Sequence, residues 1–196
     1  MLEDKYKNKY RIPSNRLQGY NYGSNGCYFV TICTKNKEHH FGKIVNETNV
    51  CNVETDNYPS LRATEIGEIA EKFWLDIPNH FPFVVLDQYV IMPNHIHGIL
   101  IFNKAAKTDN YPSLQSPNKF GRQSQNLGSV IRGFKSSLKR YANEHNISFT
   151  WQERFHDRII RDNDGLNNAR NYVINNPANW NDDELNEENS NTTPPM

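Results

Sequence analysis

Apolar positions along the chain follow two periods, one of two residues and one near 3.6. Tyr28 to Thr34 (YFVTICT) is an unbroken β-branched and aromatic run, which predicts a buried strand. Phe41 to Val45 predicts a short partner strand. Residues 63–76 (ATEIGEIAEKFWLD) set Ile66, Ile69, Ala70 and Phe73 at helical spacing, predicting an amphipathic helix that ends near Pro78. Phe83–Met92 and Ile96–Phe102 read as two strands joined at Met92-Pro93-Asn94. Residues 126–144 (NLGSVIRGFKSSLKRYANE) form a basic helix whose apolar stripe is Val130, Ile131, Phe134 and Leu138. Phe149–Gln152 predicts a short strand. A last helix runs from Asn163 to Asn175, with Asp162 as its N-cap and Pro177 as its stop. Strands alternating with helices predict an α+β fold, an antiparallel sheet with helices packed on one face.

The length of 196 residues suits one domain with tails. The expected division is a basic-aromatic arm over residues 1–25, a domain over 26–180 and an acidic, disordered tail over 181–196. The heptapeptide Thr-Asp-Asn-Tyr-Pro-Ser-Leu occurs at 55–61 and again at 108–114. Two copies of a turn-rich unit do not make a solenoid, and both are expected to be surface loops. The longest apolar run is broken by Pro93, Asn94 and two histidines and falls far short of the roughly 18 residues that span a membrane. The N-terminus has no apolar core of a signal peptide. Cys27, Cys33 and Cys51 are odd in number and form no CxxC pair, which argues against disulfides and zinc thiolates and suits the cytoplasm.

Formal net charge is zero, yet the charges are segregated. Residues 119–161 hold nine basic and three acidic side chains, whereas Asp182, Asp183, Glu184, Glu187 and Glu188 follow without a basic partner. The basic stretch, with Lys135, Lys139 and Arg140 on the helix and Arg154, Arg158 and Arg161 after it, is the candidate path for the phosphates of a nucleic acid. Taken singly, each of these charges reads as well as a solvated surface residue.

Candidate chemistry sits in Val90-Ile-Met-Pro-Asn-His-Ile-His-Gly-Ile-Leu-Ile101. Residues two apart on a strand share a face, so His95 and His97 project side by side and can hold one metal ion. The competing reading is two half-buried histidines satisfied by backbone carbonyls. On the last helix, Leu166, Ala169 and Val173 define the buried stripe, and Tyr172 falls on its flank with the hydroxyl free to reach outward. A core-edge tyrosine with a wet tip is the competing reading there. Asn176, one turn on, shares that face and can add a carbonyl oxygen to the metal. Pro177 disfavours helical geometry at Asn176.

Together these segments resemble the single-tyrosine HUH transposases, especially the REP-associated tyrosine transposases of bacterial chromosomes. The resemblance runs from RIPSNRLQGYNYG at Arg11 through YFVTICT, MPNHIHG, GFKSSLKRY and WQERFHDRIIRD to YVINNP, and covers most of residues 11–180. It implies a ferredoxin-like or RRM-like fold, His95 and His97 as metal ligands, and Tyr172 as the nucleophile. It further implies a 5′-phosphotyrosine link to single-stranded or hairpin DNA and a free 3′-hydroxyl. Many relatives carry aromatics such as tyrosine at the positions of Phe155 and His156, where this chain has no tyrosine, so no nucleophile comes from that segment, and a role for His156 as an extra metal ligand stays open. Imidazole and oxygen ligands point to Mg²⁺ or Mn²⁺. A monomer or homodimer is expected. The rival from another class is a module of the same fold that grips hairpin DNA or RNA without cutting it. A hydrolase of small phosphoesters is the third reading, and no two-metal carboxylate cluster supports it.

Overall fold

The computed structural model describes residues 16–46, 59–104 and 124–186. Its main sheet has four strands, β1 (Gly26–Cys33), β4 (Val84–Ile91), β5 (His95–Phe102) and β6 (His156–Ile160). Their order across the sheet is β4-β5-β1-β6, and every neighbouring pair is antiparallel. Two helices, α1 (Glu65–Leu75) and α3 (Leu127–Glu144), link these strands, and a four-residue helix α2 (Ile77–His80) follows α1. The resulting strand-helix-strand-strand-helix-strand path, with this strand order, is the ferredoxin-like arrangement. Between β1 and α1 lies a separate antiparallel hairpin, β2 (Gly42–Asn46) with β3 (Pro59–Ala63). The last helix, α4 (Asn163–Asn175), comes after β6.

The three long helices, α1, α3 and α4, each begin where a polar side chain satisfies an open backbone N–H. Thr64 accepts from the Gly67 amide, Asp162 from the Gly165 amide, and Asn126 exchanges hydrogen bonds with Ser129 in a reciprocal cap. The core lies between one face of the sheet and α1 and α3. Tyr28, Val30 and Ile32 from β1 and Ile96, Leu100 and Phe102 from β5 meet Trp74 and Ala70 of α1 and Val130, Ile131, Phe134 and Leu138 of α3. Gly98 belongs to this face. A Cβ there would stand 2.2 Å from the Trp74 ring, so only glycine lets the indole close on the strand that carries the histidines.

Helices on one face thus describe α1 and α3, and α4 adds a cover on the other. It rests beside His97 and Phe29 through Tyr172 and is tied to β4 by Arg170, whose guanidinium donates twice to the Asp87 carboxylate, at 2.8 and 2.6 Å. A shift of register between Leu86 and Tyr89 places Asp87 in a bulge of β4, which turns its carboxylate toward α4.

Several elements depart from the sequence pattern. Phe149–Gln152 is no strand; Trp151 makes a single bridge to Thr34. His156–Ile160 is the missing fourth strand, at the sheet's edge, where charged side chains are the common protection against stray pairing. The first heptapeptide copy ends in β3, not in a surface loop, and the second lies outside the described residues. Tyr22, assigned to the arm, is 3% exposed in the core, and Asn186, assigned to the tail, is 5% exposed.

Candidate metal and tyrosine site

His95 and His97 extend from β5 onto the α4 face, opposite Cys33 and Thr31 of β1. Both are buried, with ring centroids 4.4 Å apart. Each ring is oriented by one partner. The Asn94 amide nitrogen donates to the carbonyls of Lys37 at 3.0 Å and Leu185 at 2.7 Å, which fixes the direction of the amide. Its oxygen therefore faces Nδ1 of His95 at 2.7 Å, and Nδ1 must carry the proton. Nε2 of His95 is left as a bare lone pair, fully buried and without a hydrogen-bond partner. His97 is held from Nδ1 by the Thr31 hydroxyl at 2.9 Å, and its Nε2 lies 3.4 Å from the Tyr172 hydroxyl.

Tyr172 sits on the flank of α4, 49% exposed, with its ring edge-on to His97 at 5.1 Å and to Phe29 at 5.8 Å. Asn176 is buried 3% exposed, and its side-chain oxygen is unpartnered, aimed at the same space. The proline bias does not hold there: Asn176 is helical, at φ −59° and ψ −42°. The chain continues through Pro177 in a further turn, closed by the amides of Asn179 and Trp180 on the carbonyls of Asn176 and Pro177, and this turn fixes Asn176.

That same turn brings in a residue the sequence reading placed in a disordered tail. Asp183 sets Oδ2 3.9 Å from Nε2 of His95 and 3.4 Å from the Asn176 amide nitrogen. One ligand atom from each of His95, His97 and Asp183 lies within 4.8 Å of the others. The segment is anchored by Trp180 beside the His95 ring, by Lys37 donating to the Glu184 carbonyl and by Asn94 donating to Leu185. A tryptophan directly before the acidic run was the sequence signal for a packed turn. The bare Nε2 of His95, the orphaned oxygen of Asn176 and the Asp183 carboxylate form a donor set that fits one divalent cation.

The electrostatics agree. Burial pushes both imidazoles down to about 3, and for His97 the neighbouring His95 adds to the effect. Both rings are thus neutral bases in the fold, as metal ligands must be. Burial first and Asp183 second push the Tyr172 phenol up from 10.0, while the Asn176 amide works against the shift. Below pH 6.5 an unfolded chain takes up two protons that the folded chain refuses until about pH 3. The contribution of these two neutral rings to stability is therefore fully present above pH 6.5 and is lost as pH drops through that window. Thermal melting in chelator should show this acid loss. A His95→Gln/His97→Gln variant should show a shallower one, and an equal slope would contradict neutral burial.

The six basic residues separate onto two sides. Lys135, Lys139 and Arg140 line a groove of about 760 Å³ on the outer side of α3, with Arg16, Arg132 and Trp151. Two of these lysines already hold the chain: Lys135 donates to the carbonyls of Gln152 and Arg154, and Lys139 to that of Phe149. Arg158 lies on β6 opposite Phe29, on the Tyr172 side of the sheet. Arg154 and Arg161 are exposed next to β6. Among the described residues no helix is long and apolar enough to cross a membrane.

No family model matches the chain. A solved structure of the REP-associated tyrosine transposase bound to a REP hairpin superposes with a TM-score of 0.50 at 14% identity, over 86% of this chain and 74% of that one. At that identity the likeness establishes the fold alone, a four-stranded antiparallel α+β domain. An uncharacterized protein of Haemophilus influenzae strain Rd is 37% identical over 178 residues, which make up 88% of this chain and 91% of that protein. Identity of that extent over nearly both whole lengths means that the chain belongs to one family with the Haemophilus influenzae protein.

Proposed function

We propose that the chain cuts and rejoins single-stranded DNA at hairpin-flanked sites, with Tyr172 as the nucleophile and a divalent ion, Mg²⁺ or Mn²⁺, held by His95, His97 and an oxygen of Asn176 or Asp183. The observation that carries this reading is the meeting of the Tyr172 hydroxyl with Nε2 of His97 at 3.4 Å, beside a buried, bare Nε2 on His95. A module that only gripped DNA would have no use for a buried base without a partner.

Tyr172 supplies the attacking oxygen to a phosphodiester, and the bond it forms conserves the energy of the one it breaks. Rejoining by the released 3′-hydroxyl then needs no nucleotide. The phenol's proton balances the departing 3′-oxygen, which leaves as a hydroxyl, and Nε2 of His97, 3.4 Å from the phenol, is kept for the ion. Asn94 and Thr31 hold the two imidazoles in the orientation that presents their lone pairs. A divalent ion supplies positive charge at the attacked phosphate and cancels the Asp183 charge that opposes a phenolate. The test is a denaturing gel of protein incubated with labelled single-stranded DNA from the flanks of its gene. Label migrating with protein supports the reading, and its absence with bound DNA favours the binding module.

The groove beside α3 is the surface proposed for the phosphates of the hairpin. Since Lys135 and Lys139 are occupied by carbonyls, the strongest contacts are expected from Arg132 and Arg140. Replacing both by alanine should lower the slope of log affinity against log salt by about 1.4 to 1.8, the release expected for two phosphate contacts. An unchanged slope would take α3 out of the DNA path.

A further inference from the structure

On the Tyr172 side of the sheet a cavity of about 410 Å³ opens between β6 and α4. The part of α4 that borders it is Gly165, Ala169 and Tyr172, spaced as one helical stripe, with Asn168 beside them. Because positions 165 and 169 carry nothing larger than a methyl, the helix leaves space over the sheet where larger side chains would close it. Phe29 lines the cavity from β1, its ring stacked on His97 at 5.3 Å and edge-on to Tyr172 at 5.8 Å. His156 and Arg158 line it from β6, opposite Thr31 and Phe29 in register. The side chains of His156, Arg158 and Asn168 are exposed.

We propose that this cavity takes one unstacked nucleobase of the DNA strand, next to the phosphate that Tyr172 attacks. The proposal rests on the function proposed above and adds where the strand is read. Its volume falls within the range of about 300–1,000 Å³ common to small-ligand sites. The chemistry matches a nucleotide part by part. Phe29 offers an apolar ring face to a planar base, Asn168 offers an amide to its polar edge, and Arg158 offers a cation to the adjoining phosphate. Tyr172 forms one wall, so a base seated here brings its own phosphate to the phenol. Sequence preference at the cut is then set by Asn168 and the width left by Ala169, away from the α3 groove.

The test uses the whole chain and a set of single-stranded oligodeoxynucleotides that carry one abasic residue at successive positions, with binding read by fluorescence anisotropy. Loss of the base at one position is expected to weaken binding roughly tenfold to a hundredfold, the range of one base stacked on an aromatic ring. Ala169→Leu, which fills the cavity from α4, should weaken intact DNA to the same level and remove the sensitivity to the abasic residue. Asn168→Ala, at an exposed position, should flatten the preference among the four bases there, and it carries the test if Ala169→Leu does not fold. Equal binding at every abasic position overturns the proposal, as does an Ala169→Leu protein that retains the penalty. Failure of this pocket and failure of the Tyr172 chemistry are separable. Adduct formation without any positional penalty removes only the pocket, whereas a positional penalty without adduct removes only the chemistry.

Discussion

Tyr172→Phe is expected to abolish the covalent protein-DNA adduct completely while changing stability by no more than about 1 kcal/mol. The substitution deletes one hydroxyl and keeps the ring that packs edge-on against His97 and Phe29. That hydroxyl is half in solvent, with a long contact of 3.4 Å to His97, so little stability depends on it. On the proposed mechanism activity depends on it wholly, because the group that would become joined to DNA has no substitute among the neighbours. Tyr28 is fully buried on the other face, and Tyr141 donates to Glu65 on α1. Binding of hairpin DNA should persist, since the α3 groove is untouched. The measurement is the labelled-DNA gel with Mg²⁺ or Mn²⁺ present, beside an anisotropy titration of the same variant. If the phenylalanine protein still forms adduct, the nucleophile is another residue, and Tyr141 on α3 would be the next to replace.

Much of this arrangement is legible in the sequence because it rests on local periodicity. His95 and His97 share a face by the alternation of a strand, and the structure sets them side by side. Tyr172 lands on the flank of α4 because the helix runs over the range that Asp162 and Pro177 delimit. What the sequence hides depends on contacts distant along the chain. Asp183 looks like one of a run of solvated acids, and only the turn through Pro177 and Trp180 delivers it to His95. Asn94 looks like a turn residue, yet its two bonds to Lys37 and Leu185 decide the tautomer of His95. β6 escapes the pattern because an edge strand with one exposed face carries His156 and Arg158 where a central strand would carry apolar residues. Lys135 and Lys139 mislead in the opposite sense. They read as free phosphate contacts, but the 149–154 segment pairs only through the bridge of Trp151 to Thr34, and the ammonium groups satisfy the carbonyls of Phe149, Gln152 and Arg154.

Removing either imidazole, by His95→Ala or His97→Ala, is expected to eliminate binding of Mn²⁺ and with it all cutting of DNA. Each ring contributes a neutral nitrogen that nothing else at the site replaces, and two oxygens from Asn176 and Asp183 make a poor cage by themselves. The fold should survive, since both rings lie on the α4 side and the main core on the opposite side keeps its contacts. Graded variants separate ligation from packing. Asn94→Ala leaves both rings in place but frees the His95 tautomer, and should weaken Mn²⁺ roughly ten- to a hundredfold, the usual effect of removing the group that orients a ligand. Asp183→Asn keeps the shape of the turn and removes one negative charge. If Asp183 is a ligand, Mn²⁺ affinity falls sharply; if Asn176 fills that role alone, affinity changes little and the apo protein loses the repulsion that raises the Tyr172 phenol. Calorimetric titration of the five proteins with Mn²⁺, paired with the adduct gel, gives the ranking. Cutting by the His95→Ala/His97→Ala double variant in the presence of chelator would falsify the metal reading and leave Tyr172 as a nucleophile activated by its protein surroundings alone.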